Sequence, residues 1–301
     1  MKALMCVPNI SEGTDLSVVE KVVDAVRSAP GVMLLDYSSN SDHNRSVITY
    51  IGRPEPVAAA TRTLAETALE LIDMTCHKGS HPRQGAVDVV PFIPIRGITE
   101  EESVSIARDF GRYVGDTLGV PVYFYEDAAT RPERQNLANV RKGQYETLAL
   151  KLEDPAWAPD EGPCQFVPRS GSMQVSSRFP LVAFNINLAT TDLEIAQNIA
   201  KSVRFINGGF RYVRAIGLSL KEAGMVQVSM NLTHYEKTPI PMVAEVVKRE
   251  AARYGVSVVG TELVGPVPLG AMGQIFRYYL QAHDFRVDQI IENSLIGWTG
   301  E

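Results

Sequence analysis

Apolar positions along the chain fall into two rhythms, a helical one and an alternating one, and their succession sorts the first half of the sequence into elements. Residues 3 to 10 alternate weakly and end at the turn signal Ser11-Glu12-Gly13. Val18, Val19, Val22, Val23 and Val26 then share one helical face behind Thr14 and Asp15, either of which can cap it, and Pro30-Gly31 stops the helix. VMLLDY (32 to 37) and SVITYIG (46 to 52) predict two strands around the turn-forming loop SSNSDHNR. A second helix is predicted from Pro54 to Leu71, and AVDVVPFIPI (86 to 95) is a further strand. Thr99-x-x-Glu102 opens a third helix as a capping box, Gly119 closes it, and VPVYFY (120 to 125) is one more strand.

The second half repeats this order. LVAFNINL (181 to 188) is a strand, residues 191 to 204 form a helix, and 212 to 220 with 225 to 233 form a hairpin around Lys221 to Gly224. A helix from Pro241 to Tyr254 ends at Gly255, and VSVVGTELV (256 to 264) follows. Each half therefore reads β-α-β-β-α-β, the ferredoxin-like arrangement of an antiparallel sheet with two helices on one face. The expected class is α+β, an α/β sandwich of two ferredoxin-like subdomains with a ligand cleft between their sheets. Pro155, Pro159, Pro163, Pro168 and Pro180 preclude long regular structure over residues 151 to 180 and place the join there. The expected N-terminal subdomain covers 1–178 and the C-terminal one 179–301.

A sheet with helices on one face leaves the other to be accounted for. Val182, Phe184, Ile186 and Leu188 point one way and Asn185 and Asn187 the other, while Gln227, Ser229 and Asn231 oppose Val226, Val228, Met230 and Leu232. Amides rather than Lys, Glu and Thr on that second face suit either a wet surface or the lining of a cleft that orients a polar ligand, with Asn185 and Asn187 as candidate contacts.

Composition narrows the classes. The 301 residues are 45% hydrophobic, yet no stretch approaches the ~18 consecutive apolar residues of a membrane span. The start MKALMCVPNI has no signal-peptide layout, and the three scattered cysteines Cys6, Cys76 and Cys164 form no disulfide or metal framework, so a reducing cytoplasmic setting is expected. A net charge of −6 argues against nucleic-acid phosphates as a partner and leaves small molecules.

Chemistry concentrates in three loops. His77 and His81 stand four apart, but Gly79 between them and Pro82 after them take His81 out of a helix, and no Glu accompanies them as in a zinc-protease pair. His81 is either a surface histidine or a proton-transfer group, with Lys78 and Arg83 beside it to hold an anion. In DHNRS (42 to 46), Arg45 can fork onto a carboxylate with Asp42 or His43 holding it, or the loop is a self-satisfied turn. EGPCQFVPRSGS (161 to 172) is either an interdomain linker or a semi-rigid loop whose amides and Phe166 meet a flat ligand. No P-loop and no dinucleotide fingerprint is present.

The segments CVPNISEG (6 to 13), DHNRSV (42 to 47), LIDMTCHKGSHPRQGAVDVVPFIPI (71 to 95), VPVYFYEDAA (120 to 129), WAPDEGP (157 to 163), FNINL (184 to 188), QVSMNL (227 to 232) and LVGPVPLGA (263 to 271) resemble the formiminotransferase family over nearly the whole chain. The likeness is to the formiminotransferase part of bifunctional proteins that continue into a cyclodeaminase domain. The resemblance implies transfer of a formimino group from N-formimino-L-glutamate to N5 of tetrahydrofolate, as in histidine degradation, by a homodimer that uses tetrahydrofolate as co-substrate and no metal. The family's catalytic histidine falls on His81. Its folate-contacting segment falls on Gly162, Pro163, Cys164, Gln165, Phe166, Val167, Pro168, Arg169, Ser170 and Gly171, where the mammalian pattern FVPxWG becomes FVPRSG, with Ser170 in place of an aromatic.

The implied chemistry needs one group that takes a proton from the attacking nitrogen and returns it to the departing one. An imidazole with a pKa near 6 to 7 does both. Asp42 or Asp88 is expected to stabilise positive charge on the formimino carbon, and Arg45, Lys78 and Arg83 to clamp the glutamate carboxylates. Competing readings are a formiminoglycine or N-formylglutamate donor, a non-catalytic folate-binding protein, and a metal-dependent amidohydrolase.

Overall fold

The computed structural model describes residues 2–220 and 222–294, and the chain divides into two compact units, with the change between Arg178 and Phe179.

In the first unit, β1 (Ala3–Cys6) and β2 (Asn9–Ile10) are one strand interrupted at Val7-Pro8, where proline has no N–H to give to a ladder. α1 (Leu16–Arg27) follows, its N-terminus capped by the Asp15 carboxylate, which accepts from the N–H groups of Ser17 and Val18. Its valines 19, 22, 23 and 26 are fully buried, each contributing about 1.5–3 kcal/mol through removal from water. β3 (Val32–Asn40) and β4 (Arg45–Gly52) form a longer hairpin than the sequence predicts. Ser39 pairs with Ser46, their hydroxyls 2.8 Å apart, and this leaves only residues 41–44 as the turn. α2 (Pro54–Leu71) and β5 (Val87–Arg96) complete a β-α-β-β-α-β unit whose strands run antiparallel in the order β3, β4, β1/β2, β5. This is the ferredoxin-like order expected.

The unit then departs from that plan. α3 (Glu100–Leu118), opened by the predicted capping box at Thr99 and Glu102, leads to β6 (Val122–Glu126). The connection after it contains α4 (Leu137–Val140) and α5 (Leu148–Glu153). β7 (Met173–Ser177) inserts parallel between β5 and β6 and makes a mixed sheet of seven strands. A five-residue strand thus lies inside 151–180, where the prolines preclude only long regular structure. All five residues of MQVSS are buried, and a parallel strand covered on both faces carries no alternation to read. Val140, Leu148 and Leu152 from α4 and α5 pack with Val89, Tyr123 and Tyr125 in a small core of their own.

The second unit is the simpler one. β8 (Val182–Leu188), α6 (Leu193–Val203), β9 (Val213–Leu220), β10 (Met225–Leu232), α7 (Ile240–Arg253) and β11 (Val258–Val264) form an antiparallel sheet in the order β11, β8, β10, β9. Val182, Phe184, Ile186 and Leu188 share a core with Val226, Val228, Ile199, Val243 and Val247. Lys221, in the predicted hairpin turn, lies outside the described residues. α8 (Leu269–Tyr279) packs Ala271 into the same core, and a single turn, α9 (Ile291–Ser294), follows. Among the described residues no helix is long and apolar enough to cross a membrane.

Candidate active site

The two polar loops that the sequence singles out are fastened to each other. Ser80 donates from both its backbone N–H (3.1 Å) and its hydroxyl (3.0 Å) to the Asp42 carbonyl. Gly79 lies so close to the other loop that a Cβ there would stand 2.2 Å from the His43 carbonyl oxygen. Asn44, in the left-handed region at φ 46°, is the hub. Its side chain accepts from the Gly13 N–H at 2.9 Å and donates to the Lys78 carbonyl at 3.0 Å, and its own carbonyl lies 2.8 Å from His77 Nε2.

His81 follows this clamp in a non-helical stretch, half-buried, with its ring centroid 5.5 Å from that of His43. Its Nδ1 is buried and makes no hydrogen bond. Burial, with the positive charges of Arg45 and Arg141, lowers its pKa from the ordinary 6.5 to about 4. The imidazole is therefore neutral throughout the physiological range rather than half-titrated.

Arg45 stands at the head of β4 and donates to the Asn9 side-chain oxygen, not to Asp42 or His43. Its Nε is buried without an acceptor, and burial together with the Arg141 charge lowers its pKa. Asp88 owes its position to a β-bulge. Asn9 pairs with Val89 and Ile10 with Val87, so Asp88 is the extra residue of β5. Its carboxylate accepts from the Gln84 N–H at 2.8 Å and forms a buried ion pair with Arg141, the residue that ends α4. Burial still raises the Asp88 pKa, with Arg141 opposing.

The remaining candidates are placed as follows. Arg83, expected to hold a substrate carboxylate, is 7% exposed. It donates to Glu146 at 2.6 and 3.0 Å and to His77 Nδ1 at 3.1 Å. Lys78 is exposed. The segment 162–171 meets the histidine loop at its C-terminal end, residues 169–171. The Ala86 N–H donates to the Ser170 carbonyl (2.9 Å), the Ser172 N–H to Gln84 (3.0 Å), and the Met74 N–H to Arg169 (2.9 Å). Gly171, at φ 66°, meets Gln84 where a Cβ would stand 2.0 Å from its carbonyl oxygen.

Within that segment Phe166 lies against Tyr145, ring centroids 5.5 Å apart, and Tyr145 donates its hydroxyl to the Pro168 carbonyl at 2.7 Å. Gly162, Pro163, Cys164, Gln165, Val167 and Arg169 are exposed or half-buried. Ser170 is 7% exposed, with its carbonyl bonded to the histidine loop. Its position serves the backbone seam, so the lost aromatic is not replaced by any stacking surface there.

Asn185 and Asn187 lie in the second unit, where Asn185 donates to Glu262 Oε2 at 3.0 Å. Gln227 donates to Asn187 Oδ1 at 2.9 Å and to Glu262 Oε2 at 3.2 Å. The polar face of that sheet is thus an amide network around one carboxylate, with Asn185 and Gln227 buried. Sequence reasoning missed Glu262, Asn9, Gln84 and Arg141. Asn9 and Gln84 lie inside the quoted motifs, and their side chains carry no periodic signal, while Arg141 sits in a stretch, ANVRKGQYE, with none at all. Among the described residues, no three His, Cys, Asp or Glu are grouped to hold a metal ion.

Comparison with known proteins decides the family. The model of the formiminotransferase domain's N-terminal subdomain matches residues 3–178, and that of the formiminotransferase domain matches 183–297. The chain belongs to the formiminotransferase family. Its likeness to a glutamate formimidoyltransferase from Streptococcus pyogenes serotype M1 is 47% identity over 98% of this chain and 99% of the relative. To one from Thermoplasma acidophilum it is 43% over 98% of each. The formimidoyltransferase-cyclodeaminase of Rattus norvegicus is 43% identical over 91% of this chain and 52% of its own length. In this formiminotransferase chain the matched N-terminal subdomain contains the clamp of two loops, the bulged Asp88 and the 162–171 seam together.

Proposed function

We propose that this chain is an enzyme that transfers the formimino group of N-formimino-L-glutamate to N5 of tetrahydrofolate, with His81 as the proton shuttle. The observation that carries this reading is a neutral imidazole set beside two guanidinium groups, in a chain matching proteins named for this activity over almost their full length. N5 attacks the formimino carbon, and a new N5–C bond forms as the C=N π pair moves onto the protonated imino nitrogen, to return as C=N when the tetrahedral intermediate collapses. The N5 proton passes to His81. His81 then returns the proton to the glutamate nitrogen as the C–N bond to that nitrogen breaks and its electron pair leaves with glutamate. An imidazole that begins neutral starts as a base and, once charged between two cations, is a strong acid for the second transfer.

Arg45 holds a donor carboxylate, since it is a partly buried cation whose guanidinium donates to a neutral amide oxygen, that of Asn9. Tetrahydrofolate lies along residues 162–171, with Phe166 and Tyr145 as the aromatic surface. Asn185 and Asn187 remain candidate contacts through the Glu262 network. The protein works in the cytoplasm on small molecules, as a homodimer, and needs neither a metal nor a nucleic-acid or membrane partner.

The test is a donor panel. Purified protein and tetrahydrofolate are incubated with N-formiminoglutamate, formiminoglycine or N-formylglutamate, and acid-formed methenyl-tetrahydrofolate is read by absorbance. Turnover with formiminoglutamate at the highest kcat/KM is expected. A preference for either alternative would displace the assignment of the donor.

A further inference from the structure

Arg45 and Arg141 come from different elements, the head of β4 and the end of α4, yet their partners are neighbours: Arg45 donates to Asn9 of β2, and Arg141 pairs with Asp88 of β5, the strand with which Asn9 pairs. One carboxylate, Asp88, stands among them. Two guanidinium charges and one carboxylate leave one positive charge in excess. The hydrogen-bonding valences show the same deficit, because Nε of Arg45 and Nε of Arg141 are both buried and neither meets an acceptor. A buried charged donor without an acceptor is costly, by about 1–3 kcal/mol or more, so the excess positive charge is left uncompensated by the chain itself. Arg45 on β4 donates to Asn9, Arg141 at the end of α4 pairs with Asp88 on β5, and His43 and His81 of the two clamped loops have their ring centroids 5.5 Å apart.

We infer that Arg141 and Arg45 together seat one carboxylate of the donor, and that filling this seat is what readies His81 to accept the N5 proton. The inference rests on the reading above of the chain as a glutamate formimidoyltransferase. With the seat empty, two cations oppose a proton on the imidazole. A bound carboxylate cancels the excess charge and also neutralises the field at the ring, so proton uptake follows donor binding. Arg141 is here a binding residue that acts on His81 through charge, and Asp88 fixes its guanidinium from the far side.

The experiment uses the full chain with isotope-labelled histidine, titrated by NMR. The His81 signal is identified as the one missing in His81→Gln. L-glutamate, which has the donor's carboxylates without its reactive group, is the probe. Saturating glutamate is expected to raise the His81 midpoint by about one pH unit, a tenfold gain in proton affinity. Arg141→Lys keeps a cation against Asp88, so the fold is retained, but an ammonium lacks the planar fork. It is expected to weaken glutamate binding about tenfold or more while the affinity for tetrahydrofolate stays unchanged. Arg45→Gln is expected to raise the midpoint of the free protein and to shrink the response to glutamate.

An unmoved His81 midpoint at saturating glutamate would overturn the inference, as would unchanged glutamate affinity in both arginine variants. If the protein still turned over formiminoglutamate in that case, the functional reading would stand and only this inference would fall. Absence of both turnover and glutamate binding would remove the two together.

Discussion

Arg141 reaches Asp88 across 53 positions of sequence and neutralises a carboxylate that a β-bulge has turned out of its ladder. Side-chain exposure is 14% for the arginine and 2% for the aspartate. Removing one partner of such a pair leaves the other charge buried and unmatched, which costs about 3–5 kcal/mol. Arg141→Ala is therefore expected to lower unfolding stability by about that amount, and the double variant Arg141→Ala/Asp88→Asn to recover part of it. Denaturant titration of Arg141→Ala, Asp88→Asn and the double variant checks this, and a double-variant loss equal to the sum of the two single losses would show that the pair is not coupled.

The depressed His81 pKa makes a prediction with a definite sign. The folded value near 4 lies below the ordinary 6.5, so the group stabilises the fold above pH 6.5. That contribution is lost as pH falls from 6.5 toward 4. His81→Gln, which does not titrate, is expected to flatten the stability–pH curve in that window. Melting temperature measured from pH 4 to 7 in both proteins is the check, and parallel curves would mean that His81 titrates normally.

The clamp of the two loops rests on Gly79. Gly79→Ala puts a Cβ 2.2 Å from the His43 carbonyl, so the backbone before His81 must move. A displacement of about 1 Å at a catalytic group costs on the order of a hundredfold in rate. The expected outcome is a large drop in kcat with global stability changed by only about 1–2 kcal/mol. Retained kcat would show that the close approach does not position His81.

Arg134 anchors the connection that carries Arg141. Its side chain is fully buried, 2.6 Å from Asp160, and it donates to the Ala158 carbonyl at 2.6 Å. Arg134→Ala is expected to destabilise the first unit by about 3–5 kcal/mol. Limited proteolysis should then cut first within residues 130–157. Unaltered protease resistance would contradict that role.

Much of the fold was legible because its elements bury one face each. The valines of α1, the capping box of α3 and the alternation of β8 and β10 carry their own periodicity. β7 was hidden because its Gln174, Ser176 and Ser177 are buried although polar, and α8 because the pattern reading stopped at the last expected strand. At the site, Pro82 and Gly79 made the loop conformation of His81 readable from the chain alone. Its electrostatics were not, because they arise from burial and from Arg45 and Arg141, which only the tertiary fold brings near. The pairing of Arg83 with Glu146 was hidden for the same reason, since its partner lies 63 positions away.

The account turns on His81 as the group that moves the proton. The most direct measurement is single-turnover formimino transfer by the parent chain and by His81→Ala, with tetrahydrofolate binding measured in parallel. Loss of the chemical step by about a hundredfold or more, with folate affinity retained, is the predicted result. A His81→Ala protein that transfers the formimino group at an undiminished rate would contradict it.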